Sequence, residues 1–104
     1  MDDEQLDFKF LHKDDTAVVS VGGDIDIQTV PTLFAGLRRW SAPTHVVVDM
    51  EHASFIDSAG LSVLLLERQR LNDGGGSLTL RNVSKAIRRV LSVAGVDQIF
   101  AEHD

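Results

Sequence analysis

Phe55-Ile56-Asp57-Ser58-Ala59-Gly60-Leu61 joins an apolar approach to the start of an apolar run containing Leu61, Val63, Leu64, Leu65 and Leu66. A helix that begins here leaves its first backbone N–H groups without partners, and a hydroxyl just before it can accept one of them. Ser58 is therefore read as the helix N-cap. The same N–H groups and the positive end of the helix dipole favour an anion, by about 0.3–1 kcal/mol from the dipole when exposed. A plain cap and a switchable, phosphate-bearing serine are both compatible with this stretch.

Working outward, Thr44-His45-Val46-Val47-Val48-Asp49-Met50 is β-branched without strict alternation, the pattern of an interior strand covered on both faces. A polar turn at Glu51-His52 separates it from Phe55-Ile56. The helix is expected from about Ala59 to Asn72, and Glu67, Arg68, Gln69 and Arg70 place its end in water. Gly74-Gly75-Gly76 supplies a tight return into a strand at Ser77-Leu78-Thr79-Leu80. Asn82-Val83-Ser84 then opens a further helix. Its inner face is Ile87, Val90, Leu91 and Ala94, its outer face Lys85, Arg88 and Arg89, and Gly95 is its C′ residue, before a closing segment from Val96 to Phe100.

Upstream, Leu6, Phe8 and Phe10 alternate with Asp7 and Lys9, the period of a half-buried strand. After a turn at Lys13-Asp14-Asp15, a second strand, Ala17-Val18-Val19-Ser20-Val21, is expected to stop at Gly22-Gly23 and to pair antiparallel with the first. Asp24-Ile25-Asp26-Ile27 follows as a loop or short extended piece. Thr29 is the expected cap of the next helix, with Pro31 in the first turn, where its missing N–H is harmless. Val30, Leu33, Phe34 and Leu37 make its apolar stripe, Arg38 and Arg39 fall in its last turn, Trp40 covers the core edge, and Ser41-Ala42-Pro43 ends it. Strands alternating with helices predict an α/β domain with a mixed four- to five-stranded sheet, an N-terminal β-hairpin and three to four helices.

The chain has 104 residues and 43% hydrophobic content, which suits one domain over residues 1–104 with one core. A formal charge of −6 argues against direct nucleic-acid or anionic-membrane binding, since both need a basic footprint. With no cysteine, thiol chemistry and disulfides drop out. The start, Met-Asp-Asp-Glu-Gln, is the reverse of a secretion signal, and the apolar runs are far shorter than the ~20 residues that span a bilayer, so a soluble, cytoplasmic protein is expected.

Ser58 is read as a cap ahead of a hydrolase nucleophile, which stays an outside alternative that Ser58-dependent turnover of an ester or phosphate would revive: the elbow pattern G-x-S-x-G needs glycine where Ile56 stands, and His12, His45, His52 and His103 show no triad spacing to it. No metal-ligand motif is present, and no cofactor is expected. Gly74-Gly75-Gly76 follows a helix and precedes a strand, opposite in polarity to a phosphate-cradling loop.

In order along the chain, Gly23-Asp24-Ile25-Asp26, the valine-rich strand ending in Asp49, Phe55-Ile56-Asp57-Ser58-Ala59-Gly60-Leu61, Gly75-Gly76, and Ala86-Ile87 to Gly95 resemble the bacterial anti-sigma factor antagonists of the STAS domain family. The resemblance runs from about Phe8 to Phe100 and implies a binding protein, not an enzyme. It implies that Ser58 is phosphorylated by an anti-sigma factor that is itself a serine kinase, that the unmodified protein binds that partner and releases the sigma factor, and that a serine phosphatase resets it. Asp26 and Asp57 match the family's acidic positions, and Asp24, Ile27, Thr29, Ala59 and Gly60 complete the expected docking surface. Asp26, read as a loop acid with few packing contacts, is expected to matter for docking more than for stability. Ala59 stands where many members have a second serine, which leaves Ser58 as the hydroxyl of the motif. A non-switching scaffold, such as an accessory subunit of a lipid-transport complex, is the alternative within the same resemblance.

Overall fold

The computed structural model describes residues 6–41 and 43–100; Met1 to Gln5, Ala42 and His103 lie outside the described residues. The elements are β1 (Asp7–Lys13), β2 (Thr16–Ile25), α1 (Val30–Leu37), β3 (His45–Asp49), β4 (Ala53–Ile56), α2 (Ser58–Asp73), β5 (Ser77–Arg81) and α3 (Lys85–Val93). β1 and β2 form the expected antiparallel hairpin, turned at Asp14, whose φ of 56° is one that Asp tolerates better than most residues. The sheet runs β1-β2-β3-β5 with β4 on the far end of β2, and every pair except β1–β2 is parallel. β3 is central, and Val46, Val47, Val48 and Asp49 are all buried, as its unbroken apolar run requires.

β2 does not stop at Gly22-Gly23. Thr16 to Ser20 pair with β3, after which the strand changes partner and Gly23, Asp24 and Ile25 pair with β4 across a register shift. Gly23 takes a φ of 109°, and its N–H donates to the His52 carbonyl at 3.0 Å. The glycines mark a bulge, which bends the strand and carries Asp24-Ile25 toward the start of α2. A strand continues through glycine when a new neighbour accepts its backbone hydrogen bonds, and β4, four residues long, is that neighbour.

The core combines Val19, Val21, Val46, Val48, Leu78 and Leu80 from the sheet with Leu33 and Leu37 from α1, Leu61, Leu64 and Leu71 from α2, and Ile87 and Leu91 from α3. Trp40 packs on its edge as expected, whereas Ala94 of the expected inner face of α3 is exposed. Two charge expectations are corrected. α1 ends at Leu37, so Arg38 is its C-cap and its last turn holds no cation. Glu67, assigned to the watery end of α2, is 0 % exposed and accepts from Arg38 Nε at 3.1 Å and Arg70 Nε at 2.8 Å. Arg70 also donates to the carbonyls of Trp40 and Leu37, at 2.8 and 3.4 Å. Arg70 of α2 thus places its positive charge directly on carbonyls at the C-terminal end of α1, while the Glu67 carboxylate lies buried between the Arg38 and Arg70 guanidinium groups.

Candidate functional site

The bend in β2 and the short β4 bring two chain segments together at one end of the sheet. Ile25 and Ile56 face each other in the parallel register, both buried, and the Asp57 N–H donates to the Ile25 carbonyl at 3.0 Å. Gly60 makes the approach possible: a Cβ there would lie 2.5 Å from Ile25 Cγ2 and 2.8 Å from the Ile25 carbonyl oxygen. The first turn of α2 therefore rests directly on the end of β2.

Asp57, not Ser58, caps α2. Its backbone is extended, its Oδ1 accepts from the Gly60 N–H at 3.0 Å, and Ser58 is the first helical residue. A carboxylate reaches back to the helix as well as a hydroxyl does, so Asp57 and Ser58 are both competent caps by local chemistry. Asp57 Oδ2 accepts from the Ile27 N–H at 3.1 Å, so one carboxylate clamps the loop after β2 to the start of α2.

That loop is organised by its own side chains. Asp26 Oδ1 accepts from the N–H groups of Gln28 and Thr29 at 3.0 and 3.1 Å. Thr29 Oγ1 accepts from the Asp26 N–H at 2.9 Å and donates to the Asp24 carbonyl at 2.7 Å. Thr29 occupies the N-cap position of α1 but makes no side-chain cap bond; its hydroxyl is used in the loop instead. Asp26 is thus a turn-forming acid with more structural duty than the sequence reading gave it.

Of the residues singled out in the sequence, Asp26, Ile27, Thr29, Asp57, Ala59 and Gly60 belong to this joined pair of segments, and Ser58 stands on it with its side chain exposed. Thr29 and Gly60 are buried, so they hold the surface up from beneath. Asp24 is exposed at the end of β2, and Ile27 is 70 % exposed. Among the described residues the N–H groups of Ser58 and Ala59 have no hydrogen-bond partner, as helix geometry dictates for a first turn.

The sequence reading missed the neighbours on the other side. A groove of about 380 Å³ between α2 and α3 is lined by Ser58, Leu61, Arg89, Val90, Val93 and Ala94. Val93 is 85 % exposed. The available signal was a valine off the buried stripe of α3, whose core positions are Ile87 and Leu91. Ser58 therefore sits between an acidic side, with Asp24, Asp26 and Asp57, and an apolar groove edged by Arg89. Among the described residues no histidine lines the groove at Ser58, and His45 Nδ1 lies 2.9 Å from Ser77 Oγ on the neighbouring strand. Among the described residues no group of three His, Asp or Glu side chains is placed to hold a metal ion, and no helix is long and apolar enough to cross a membrane.

At the C-terminal end of β3, Asp49 accepts from Arg81 at 2.8 Å, from Asn82 at 3.1 Å and from the Glu51 N–H at 3.0 Å. Burial pushes its carboxyl up, but these hydrogen bonds and the Arg81 charge outweigh it and hold the group below its ordinary value.

A small α/β domain with an N-terminal hairpin and an exposed serine on the first turn of a helix seated against the sheet defines the class of molecule. Residues 7–104 match the STAS domain, and the chain belongs to that family. It is 30% identical over 96 residues to an anti-sigma-B factor antagonist of Staphylococcus epidermidis, covering 90% of this chain and 89% of that one. The crystal structure of an anti-sigma factor antagonist from Mycobacterium paratuberculosis superposes with a TM-score of 0.83 at 26% identity, over 98% of this chain and 88% of the other. The Bacillus cell fate determinant SpoIIAA, in its phosphorylated form, shares the fold with a TM-score of 0.72 at 24% identity, over 94% of this chain and 92% of its own.

Proposed function

We propose that this chain is an anti-sigma factor antagonist that works by binding, and that phosphorylation of Ser58 switches the binding off. What supports this most directly is the division of labour at the start of α2: Asp57 caps the helix, so the exposed Ser58 hydroxyl is free of a structural task. The names of the Staphylococcus and Mycobacterium relatives point to the same class of partner, and a protein of the same fold exists in a phosphorylated form. The proposed partners are an anti-sigma factor with serine kinase activity and a serine phosphatase, acting in the cytoplasm on a single domain of residues 1–104.

The physical basis is a group the fold tolerates and an interface does not. Phosphorylation adds about −1.5 to −2 charge and three acceptor oxygens. On the first turn of α2 these meet the N–H groups of Ser58 and Ala59 and the positive end of the dipole, so the protein stays folded. At a closed interface the same charge must be desolvated beside Asp57 and Asp26. Moving a complex from 99:1 bound to 1:99 needs about 5.5 kcal/mol, and an unpaired buried charge costs several kcal/mol.

The experiment is titration calorimetry of the cognate anti-sigma factor against wild type, Ser58→Ala and Ser58→Asp, with mass spectrometry after incubation with ATP. Ser58→Ala is expected to bind like wild type, to resist modification and to keep its stability within about 0.5 kcal/mol, as a surface substitution away from a cap should. Ser58→Asp is expected to bind at least tenfold more weakly, about 1.4 kcal/mol. Wild-type affinity in Ser58→Asp, together with an unmodified Ser58 after ATP, sinks the proposal.

A further inference from the structure

β1 is the outer strand of the sheet. It pairs with β2 over its full length, from Asp7↔Gly22 to Lys13↔Thr16, without a register break, and among the described residues no strand lies beyond it. Alternate N–H and C=O groups of such a strand face outward, which makes a regular edge a template for another strand. Edges are commonly blunted by bulges, prolines or very short strands, and β1, with seven residues, has none of these. It does carry Lys9 and Lys13, charges that discourage pairing unless a register exists that satisfies them.

A second copy of this chain supplies that register. Two copies of β1 related by a twofold axis run antiparallel, and because opposed side chains must share a sheet face, the axis passes between two copies of the same residue. Full overlap of Asp7–Lys13 with itself centres the axis on Phe10. Asp7 then opposes Lys13, twice by symmetry, Lys9 opposes Leu11, Phe8 opposes His12, and no like charges meet. Centring on Lys9 sets Lys9 against Lys9, and centring on Leu11 sets Lys9 against Lys13. The longest overlap is therefore also the one in which charges match. Among the described residues neither Asp7 nor Lys13 has an ion-pair partner within its own chain.

Apolar surface at this edge agrees with the pairing. Leu11 is 70 % exposed and Phe10 36 % exposed. Phe10 stacks on Phe8 at 5.7 Å with the Arg39 guanidinium 4.2 Å above it, so the aromatic row of one copy would continue into the other. We propose that the protein self-associates edge to edge through β1, in an antiparallel pairing centred on Phe10 that joins two five-stranded sheets into one. None of the seven β1 residues belongs to the Ser58 site, so a dimer carries two accessible copies of that site whatever its function.

Seven residues at about 3.4 Å each give an edge only about 24 Å long, so the interface falls in the small, weakly associating class. Sedimentation equilibrium from about 10 µM to about 1 mM covers the expected range of dissociation constants. Wild type is expected to shift from monomer to dimer across it. Asp7→Lys and Lys13→Asp each set like charges opposite one another twice and are expected to weaken the dimer about tenfold, while the double variant restores it to within about threefold. A wild type that stays monomeric to the top of the range overturns the proposal, and so does a dimer that ignores the single substitutions or is not rescued by the double one.

Discussion

Replacing Asp57 tests the clamp on which the site rests. The carboxylate accepts two backbone N–H groups, from Gly60 in α2 at 3.0 Å and from Ile27 in the loop after β2 at 3.1 Å. Asp57→Ala removes both. Loss of an N-cap acid costs about 0.5–2 kcal/mol, and loss of a second hydrogen bond whose donor can turn to water costs about 0.5–1.5 kcal/mol more. A total near 2 kcal/mol lowers the melting temperature by about 8–16 °C in a domain of this size. Asp57→Asn separates the roles, because its amide oxygen keeps the cap on Gly60 while its NH₂ turns a donor toward the Ile27 N–H; about half of the loss is expected. Urea unfolding gives the free energies, and amide hydrogen exchange locates them, with Ile27 losing protection in both variants and Gly60 only in Asp57→Ala. Equal destabilisation by Asn and Ala, or unchanged exchange at Ile27 in Asp57→Ala, would falsify the two-bond clamp.

Two further substitutions probe the charges the fold has buried. Glu67→Ala leaves Arg38 and Arg70 facing an empty space; breaking a buried pair costs about 3–5 kcal/mol, and since both guanidinium groups retain some solvent contact the lower end is expected, a melting temperature about 12–24 °C down by calorimetry. The Asp49 carboxyl is held below its unfolded-state value, so its contribution is present above that value and is lost as pH falls through the lower, folded one. Asp49→Asn should therefore flatten the acid limb of the stability curve below about pH 4, measured by urea midpoints across pH; an acid limb of unchanged steepness shows that other carboxylates control it.

Legibility in the sequence followed the range of the interactions. β3, β5, the hairpin and the capped start of α3 were readable because each depends on residues close in the chain: a β-branched run, a two-residue turn, and Ser84 accepting from the Ile87 N–H at 3.2 Å. The position of the α2 cap was missed by one residue because Asp57 and Ser58 are both good caps locally. What favours Asp57 is the Ile27 N–H, thirty positions away in the chain, which its second oxygen reaches at the same time. Gly22-Gly23 reads as a stop in one dimension and proves to be a change of neighbour in three.

Hydrophobic period and capping chemistry act over a few residues, so the mixed α/β class and a helix starting at the Asp57-Ser58 seam are legible in the sequence alone. Tertiary structure decided which side chain caps that helix, that Glu67 is buried, and that Asp26, Asp57 and Ser58 share one surface with the groove beside α3. Those outcomes depend on which backbone amides and guanidinium groups the parallel β2–β4 pairing and the α1–α2 packing bring within hydrogen-bond reach. No local pattern encodes that distance, because it is set by the closure of the whole sheet.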